Sequence, residues 1–259
     1  MSLSIAMVQT HLAWETPSEN CQHFTAMLKS LAEAEHPADL VILPEMFSTG
    51  FSMASKQLAE PMNGPTISWM REQASRLRAT VCGSLIIQAD GQFYNRFIWM
   101  PASGEVKFYD KKHLFRMSAE NDNYTAGAAR LIVTLNDFRI CPQVCYDLRF
   151  PVWSRNNDDY DLLLYVANWP QVRRQHWRSL LRARAIENLS YVVGVNRIGV
   201  DGAGISYSGD SMAIDFNGID ITDMQANDGL VLIQLEREPL TDYRQNFPAW
   251  RDADRFQLV

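Results

Sequence analysis

The sequence predicts an α/β fold with mixed sheets, on three observations. A strand-helix-strand rhythm opens the chain, a second one follows residue 160, and strand pairs joined by turn residues lie between and after them. At 259 residues, with 47% apolar and 21% charged side chains, the chain can bury one large core, so a single domain spanning 1–259 is expected.

Residues 4–9 form the first predicted strand. Thr16-Pro17-Ser18-Glu19 then supplies an N-cap, a proline at the first helical position and a capping-box glutamate. Phe24, Met27, Leu28 and Leu31 recur at helical spacing, and the helix is expected to end near His36-Pro37. Residues 39–43 read as a strand buried on both faces that delivers Pro44-Glu45 at its carboxyl end, where ligand sites gather in α/β sheets. A helix over 65–78, with Ile67, Met70, Ala74 and Leu77 inward, leads to a strand over 81–87.

Hairpins follow. Strands over 93–100 and 105–109 flank Pro101-Ala102-Ser103-Gly104, and strands over 131–135 and 139–144 flank Asn136-Asp137. A strand over 161–166, a helix carrying Trp177, Leu180, Leu181 and Arg184, and a strand over 191–195 repeat the opening rhythm. After Gly202 come three short strands around 211–215, 219–222 and 230–235, the first two joined by Asn217-Gly218, a strong hairpin signal. Residues 241–259 hold Tyr243, Phe247, Trp250 and Phe256 among charges, an aromatic tail expected to dock on the core or on a partner subunit.

A net charge of -6 argues against nucleic acid or an anionic membrane, since phosphate binding needs clustered Lys and Arg. The first residues carry no basic segment ahead of their apolar stretch, and no run approaches the ~20 apolar residues that span a bilayer. Four cysteines are too sparse for a disulfide framework. These features together predict a cytoplasmic protein with a small-molecule partner.

Cys145 follows a strand and opens Tyr146-Asp147-Leu148-Arg149-Phe150-Pro151. At a sharp strand-to-helix turn its sulfur would stand above the sheet, and the next backbone N–H would be free to hold a developing oxyanion. Two further segments stand beside it: Leu43-Pro44-Glu45-Met46-Phe47, and Tyr109-Asp110-Lys111-Lys112-His113-Leu114. Their glutamate, lysine and cysteine, at separations of 66 (111 minus 45) and 34 (145 minus 111), resemble the Glu-Lys-Cys set of the nitrilase superfamily of carbon-nitrogen hydrolases. The likeness extends over nearly the whole chain, through 182–188 and Val195-Asn196-Arg197. Glu45 to Phe51 and Ala167-Asn168-Trp169-Pro170 look most like the omega-amidase branch.

The resemblance implies a four-layer α-β-β-α sandwich. It implies hydrolysis of a small amide with ammonia release, the substrate being the omega-amide of a 2-oxo dicarboxylate such as 2-oxoglutaramate or 2-oxosuccinamate. It also implies roles: Cys145 as nucleophile, Glu45 as general base, Lys111 on the oxyanion with the Tyr146 N–H, and Glu120 as a second glutamate that orients the lysine. The residue types suit that chemistry. A free thiol, pKa ~8.5, is mostly protonated at neutral pH and needs a base, and one carboxyl can serve as base, acid and base again. A compact ammonium suits the charge on a tetrahedral oxygen.

A substrate carboxylate requires a cation, and Arg173 and Arg116 are the candidates. Phe47, Trp169 and Tyr124 are candidate pocket walls. Asp147 and Arg149 are expected to hold the cysteine turn, His113 to orient the lysine loop, and Lys112 to point away. Gly202-Ala203-Gly204 lacks the strand-loop-helix context of a nucleotide loop, and Cys141 and Cys145 lack a second ligand pair, so no cofactor and no metal are predicted. The aromatic tail and the resemblance together suggest a homodimer. Competing readings are a relative acting on a carbamoyl, ureido or nitrile bond, a non-catalytic scaffold of the same fold, and a protease pairing Cys145 with His113 or His176. The last lacks the usual papain-type sequence around the cysteine.

Overall fold

The computed structural model describes residues 1–33, 38–157, 160–254 and 256. Its strands, in chain order, are β1 (Ser2–Gln9), β2 (Leu40–Ile42), β3 (Thr80–Ala89), β4 (Gln92–Met100), β5 (Lys107–Asp110), β6 (Val133–Leu135) and β7 (Phe138–Val144). They continue with β8 (Leu162–Ala167), β9 (Tyr191–Asn196), β10 (Ile198–Val200), β11 (Ser206–Ser208), β12 (Met212–Ile214), β13 (Asp220–Asp223) and β14 (Gly229–Glu236). The longer helices are α1 (Pro17–Met27), α2 (Pro65–Leu77), α3 (Arg174–Asn188) and α4 (Arg237–Asn246).

The strands form two six-stranded mixed sheets, ordered β14-β1-β2-β3-β4-β5 and β13-β12-β9-β8-β7-β6. Each has three parallel strands at its centre, β1-β2-β3 in one and β7-β8-β9 in the other, with antiparallel partners on both sides. The two strand-helix-strand rhythms of the sequence are these two parallel centres.

Side-chain alternation sets the layers. Along β1, Leu3, Ile5 and Met7 join Leu40, Ile42, Phe97 and Trp99 in a core shared with Ile140, Leu162 and Val193 of the other sheet. The intervening Ala6 and Val8 pack with Phe24 of α1 and with Ile67, Met70 and Ala74 of α2. On the second sheet Trp177, Leu181 and Ala185 bring α3 into contact, close enough that a Cβ added to Gly194 of β9 would lie 2.7 Å from Trp177 and Leu181. The layers therefore run helix, sheet, sheet, helix. Each fully buried aliphatic side chain stabilises this stack by ~1.5–3 kcal/mol, so a one-residue slip of β1, which would exchange its two faces, is strongly disfavoured.

Several local expectations are corrected. Thr16 does not cap α1 with its side chain; its hydroxyl donates to the Trp14 carbonyl, and Asn20 ties the preceding loop instead by accepting from the Ala13 N–H. The expected end of that helix near His36-Pro37 falls outside the described residues. Of the three late strands, the last is eight residues long and crosses to pair antiparallel with β1 of the other sheet. The β10-β11 ribbon, unforeseen, frames the loop through Gly202. The tail begins earlier, as helix α4 from Arg237. Tyr243 packs on Phe216 at 4.8 Å between ring centres, while Phe247 and Trp250 stay exposed.

Candidate active site

Three chain segments end at one place on the seam between the sheets. Pro44 stops β2 and Glu45 follows, with Met46 in the left-handed region at φ 43° and the Thr49 and Gly50 N–H groups closing a turn onto the Met46 carbonyl. Lys111 comes directly after β5, its N–H donating to the Asn95 carbonyl at 3.0 Å. Cys145 comes directly after β7 with φ at 44°, and Cys145–Arg149 forms one tight 3-10 turn. A non-glycine residue held at positive φ costs on the order of 1 kcal/mol, which the surroundings must offset. They do so through Asp147, whose buried carboxylate accepts from the Val144 N–H, the Tyr109 hydroxyl and both the N–H and Nδ1 of His113, and through Arg184, which donates to the Leu148 carbonyl at 2.6 Å.

The charged groups meet out of water. Lys111 Nζ donates to Glu45 Oε1 at 2.9 Å and lies 2.9 Å from both Glu120 oxygens. Glu45, Glu120 and Lys111 are all buried. Glu45 Oε1 also accepts from Asn95 Nδ2 at 2.7 Å, and its Oε2 accepts from the Asn168 N–H at 2.8 Å. The Cys145 sulfur shares a hydrogen bond with Glu45 and lies 3.9 Å from the Asn168 carbonyl. Glu120 Oε2 accepts from the Phe115 N–H at 2.6 Å, which ties the second glutamate to the lysine loop.

Burial pushes the Cys145 thiol well above the ordinary range, the Glu45 charge adds to this, and Lys111 offsets only part of it. The resting sulfur is a thiol. Burial opposes the Lys111 charge, yet Glu120 and Glu45 together outweigh it and hold the ammonium above its usual pKa. Burial also raises the Glu120 carboxyl, with Lys111 pulling it back and Glu45 pushing it further up.

A cavity of about 440 Å³ opens onto Cys145 and Lys111. Tyr146, Trp169 and Arg173, expected as substrate contacts, all line it. Arg149, expected to brace the cysteine turn, lines it instead. Its guanidinium stacks 4.7 Å over Trp169 and donates to His176 Nδ1 at 3.1 Å, while Arg173 sits 5.3 Å over Phe115. Among the described residues neither arginine has a carboxylate within 4.0 Å, and burial together with the Arg173 charge lowers the Arg149 pKa. Two facing guanidiniums with no counter-ion are suited to an anion.

Three expected contacts lie elsewhere. Arg116 is exposed and lines a separate depression with Lys112 and Met117, because Ala119 at φ 58° turns the chain back after Arg116–Ser118. Phe47 is fully buried between Phe24 and Trp69, on the helix side of its sheet, and Phe51 occupies the cavity wall in its place. Tyr124 packs with Met46 and Ile86, and its hydroxyl donates to the Ser52 carbonyl, so it supports the 51–54 wall from behind. His113 is bound to Asp147 and stacked on Phe150, and Lys112 lies 5.5 Å from the Trp153 ring. Asn95 had no role in the sequence reading, although a lone amide within the largely apolar run 93–100 is an available signal. Among the described residues no group of three or more His, Cys, Asp or Glu side chains could hold a metal ion, and no helix is long and apolar enough to cross a membrane.

Comparison with known proteins agrees with this geometry. A family model described as carbon-nitrogen hydrolase matches residues 4–245. The omega-amidase YafV of Escherichia coli strain K12 is 46% identical over 99% of this chain and 98% of its own. The 2-oxoglutaramate amidase of Bacillus subtilis strain 168 is 29% identical over 97% of this chain and 98% of its own. Among solved structures, a carbon-nitrogen hydrolase superfamily protein of Xanthomonas campestris, which carries an arsenic adduct in its active site, superposes over 100% of both chains with a TM-score of 0.97 and 44% identity.

Proposed function

The chain belongs to the carbon-nitrogen hydrolase family, and from that premise we propose that it hydrolyses the omega-amide of a 2-oxo dicarboxylate, such as 2-oxoglutaramate or 2-oxosuccinamate, through a thioester on Cys145. The observation that carries the reading is the water-excluded cluster in which Glu45 contacts both Lys111 and Cys145. Its counterpart at the cavity wall is Arg149 with Arg173, a pair that has no carboxylate within 4.0 Å among the described residues. Similarity to the omega-amidase and the 2-oxoglutaramate amidase supports the substrate class.

In the proposed reaction the Cys145 sulfur attacks the amide carbon as Glu45 takes the thiol proton. No standing thiolate is needed, which suits a thiol held protonated at rest. The oxyanion is met by Lys111 Nζ and the Tyr146 N–H, a group in the first turn of its helix and so without an intrahelical partner. Glu45 returns its proton to the departing ammonia, then activates water against the thioester, and the acid leaves with Cys145 restored. Glu120 keeps the ammonium in place. Arg149 and Arg173 bind the substrate carboxylate, against Trp169 and Phe115. Function as one catalytic domain, in a cytoplasmic homodimer, completes the reading.

The test is ammonia release from 2-oxoglutaramate and 2-oxosuccinamate compared with glutamine, asparagine and simple nitriles. The 2-oxo amides are expected to turn over with the highest kcat/KM, and Cys145→Ala to abolish turnover while leaving the melting temperature near that of the wild type. Preference for a nitrile or an amino-acid amide would overturn the substrate assignment, and near-normal turnover in Cys145→Ala would overturn the mechanism.

A further inference from the structure

The cluster holds two carboxylates and one ammonium, an unbalanced negative charge among fully buried side chains. Neutral donors must make up the difference. Glu120 has the Phe115 N–H and Glu45 has the Asn168 N–H, but among the described residues one neutral group reaches both: Asn95 Nδ2, at 2.7 Å from Glu45 Oε1 and 3.2 Å from Glu120 Oε1. We propose, on the basis of the hydrolase reading above, that Asn95 is a positioning residue that holds Glu45 ready to take the Cys145 proton, its amide being locked by a circuit through Ser84 and the backbone of Met46.

The circuit fixes the amide's orientation. Ser84 Oγ accepts the Met46 N–H at 2.9 Å, so its proton points onward to Asn95 Oδ1 at 2.8 Å. The oxygen of the amide therefore faces Ser84 and its NH2 faces the glutamates. The reverse orientation would aim an oxygen at two carboxylate oxygens. Because Met46 is the residue after Glu45, the ring of contacts returns to the residue it serves. Strand pairing supports it, since Asn95 on β4 stands two residues from Phe97, the antiparallel partner of Ser84 on β3, and so on the same face of the sheet.

The consequence concerns protons. The titratable groups facing Glu45 are Lys111 after β5, Glu120 from the helical turn Glu120–Asn123, Cys145 after β7, Tyr124 behind Glu120, and Tyr207 on β11. Without the shared donor, relief comes when one carboxylate binds a proton. A Glu45 that is already protonated cannot deprotonate the thiol.

The experiment follows the rate of Cys145 alkylation by iodoacetamide against pH in the full chain, beside ammonia release from 2-oxoglutaramate. In alkylation the sulfur-carbon bond forms as the carbon-iodine bond breaks, iodide leaves, and the thiol proton passes to Glu45. A hydrogen bond to a charged group is worth enough to move such a profile by on the order of one pH unit. Asn95→Leu is expected to shift its acid limb upward by about that much and Asn95→Asp by more, with kcat at pH 7 falling about tenfold or beyond while KM stays within about twofold. Ser84→Ala should shift the limb less, in the same direction. A purely steric role predicts the opposite order, with the isosteric Asn95→Asp close to wild type and no limb displaced, and that result overturns the proposal. Should Asn95→Leu fail to fold, Asn95→Asp and Ser84→Ala carry the comparison. If the wild type alkylates normally but releases no ammonia from either 2-oxo amide, the substrate reading fails, and the alkylation profiles decide the role of Asn95 by themselves.

Discussion

Replacing Lys111 by methionine keeps an unbranched stem of similar length and removes the ammonium, its charge and its N–H donors together. Glu45 and Glu120 would then share a buried site with no cation, and breaking such a pair by removing one partner costs ~3–5 kcal/mol. For a chain of this size about 2–4 °C is lost per kcal/mol, so Lys111→Met should melt on the order of 10 °C below wild type at pH 7.5. The sign of its pH dependence follows from Glu120. Burial already raises its carboxyl above the ordinary value despite Lys111, and removing the cation raises it further. A group whose pKa is higher folded than unfolded contributes stability below the unfolded value and loses it as pH rises through the folded value. The deficit should therefore shrink on going from pH 7.5 toward pH 5. The assay is paired thermal melts of wild type and variant across that range, read as a difference so that other titrations cancel. Ammonia release should fall by about 10²–10³-fold or more, as for loss of an oxyanion donor. A variant that melts with the wild type at pH 7.5, or whose deficit grows as pH falls, would refute the charge accounting.

Arg149→Met and Arg173→Met should each raise KM for 2-oxoglutaramate by roughly 10–150-fold, the worth of one charge-assisted contact, while a neutral amide such as propionamide is little affected. Arg116→Met, outside the cavity, should match wild type, and steady-state kinetics on the three variants separates these outcomes. Asp147→Ala removes the acceptor for Val144, Tyr109 and His113 together, and should lower the melting temperature by on the order of 10 °C, with Asp147→Asn retaining part of the loss. Equal stability of Asp147→Ala and wild type in calorimetry would contradict the bracing role given to it.

The parallel centres of both sheets were legible because buried strands and amphipathic helices have different periods, and β2, β3, β8 and β9 lie within a residue or two of where those periods put them. Convergence of Glu45, Lys111 and Cys145 was legible only through resemblance, since nothing local to 45, 111 or 145 encodes their contact. What stayed hidden depends on which way a side chain turns in three dimensions. Arg149 belongs by sequence to the cysteine turn, yet that 3-10 turn aims it outward across Trp169, whereas Asp147 aims back at Val144. Phe47 follows the catalytic-looking glutamate by two residues, but the left-handed Met46 reverses the chain and sends the ring to the helix layer. The crossing of β14 to β1 joins residues more than 200 apart, which no window of periodicity can see.

Two strained residues, Met46 and Cys145, stand beyond the ends of strands in opposite sheets. Asn168, from the second sheet, donates its backbone N–H and its side-chain amide to Glu45 of the first, and its carbonyl lies beside the Cys145 sulfur. The distance between the Glu45 carboxyl and the Cys145 sulfur is therefore set by how the sheets pack, and the apolar core between them keeps it. This geometry favours a neutral thiol beside a carboxylate over a standing thiolate, because a thiolate would be a third anion beside Glu45 and Glu120, whose charge Lys111 already only partly balances. In the proposed reaction, reactivity appears when a carbonyl arrives whose developing oxyanion Lys111 can share, and the sulfur is spared exposure as a free nucleophile to oxidants in the meantime. On the proposed assignment of Arg149 and Arg173 to the substrate carboxylate, their place at the cavity wall and outside the cluster follows from the same argument: a guanidinium within reach of Glu45 would draw it into an ion pair, whereas these two lie over Trp169 and Phe115.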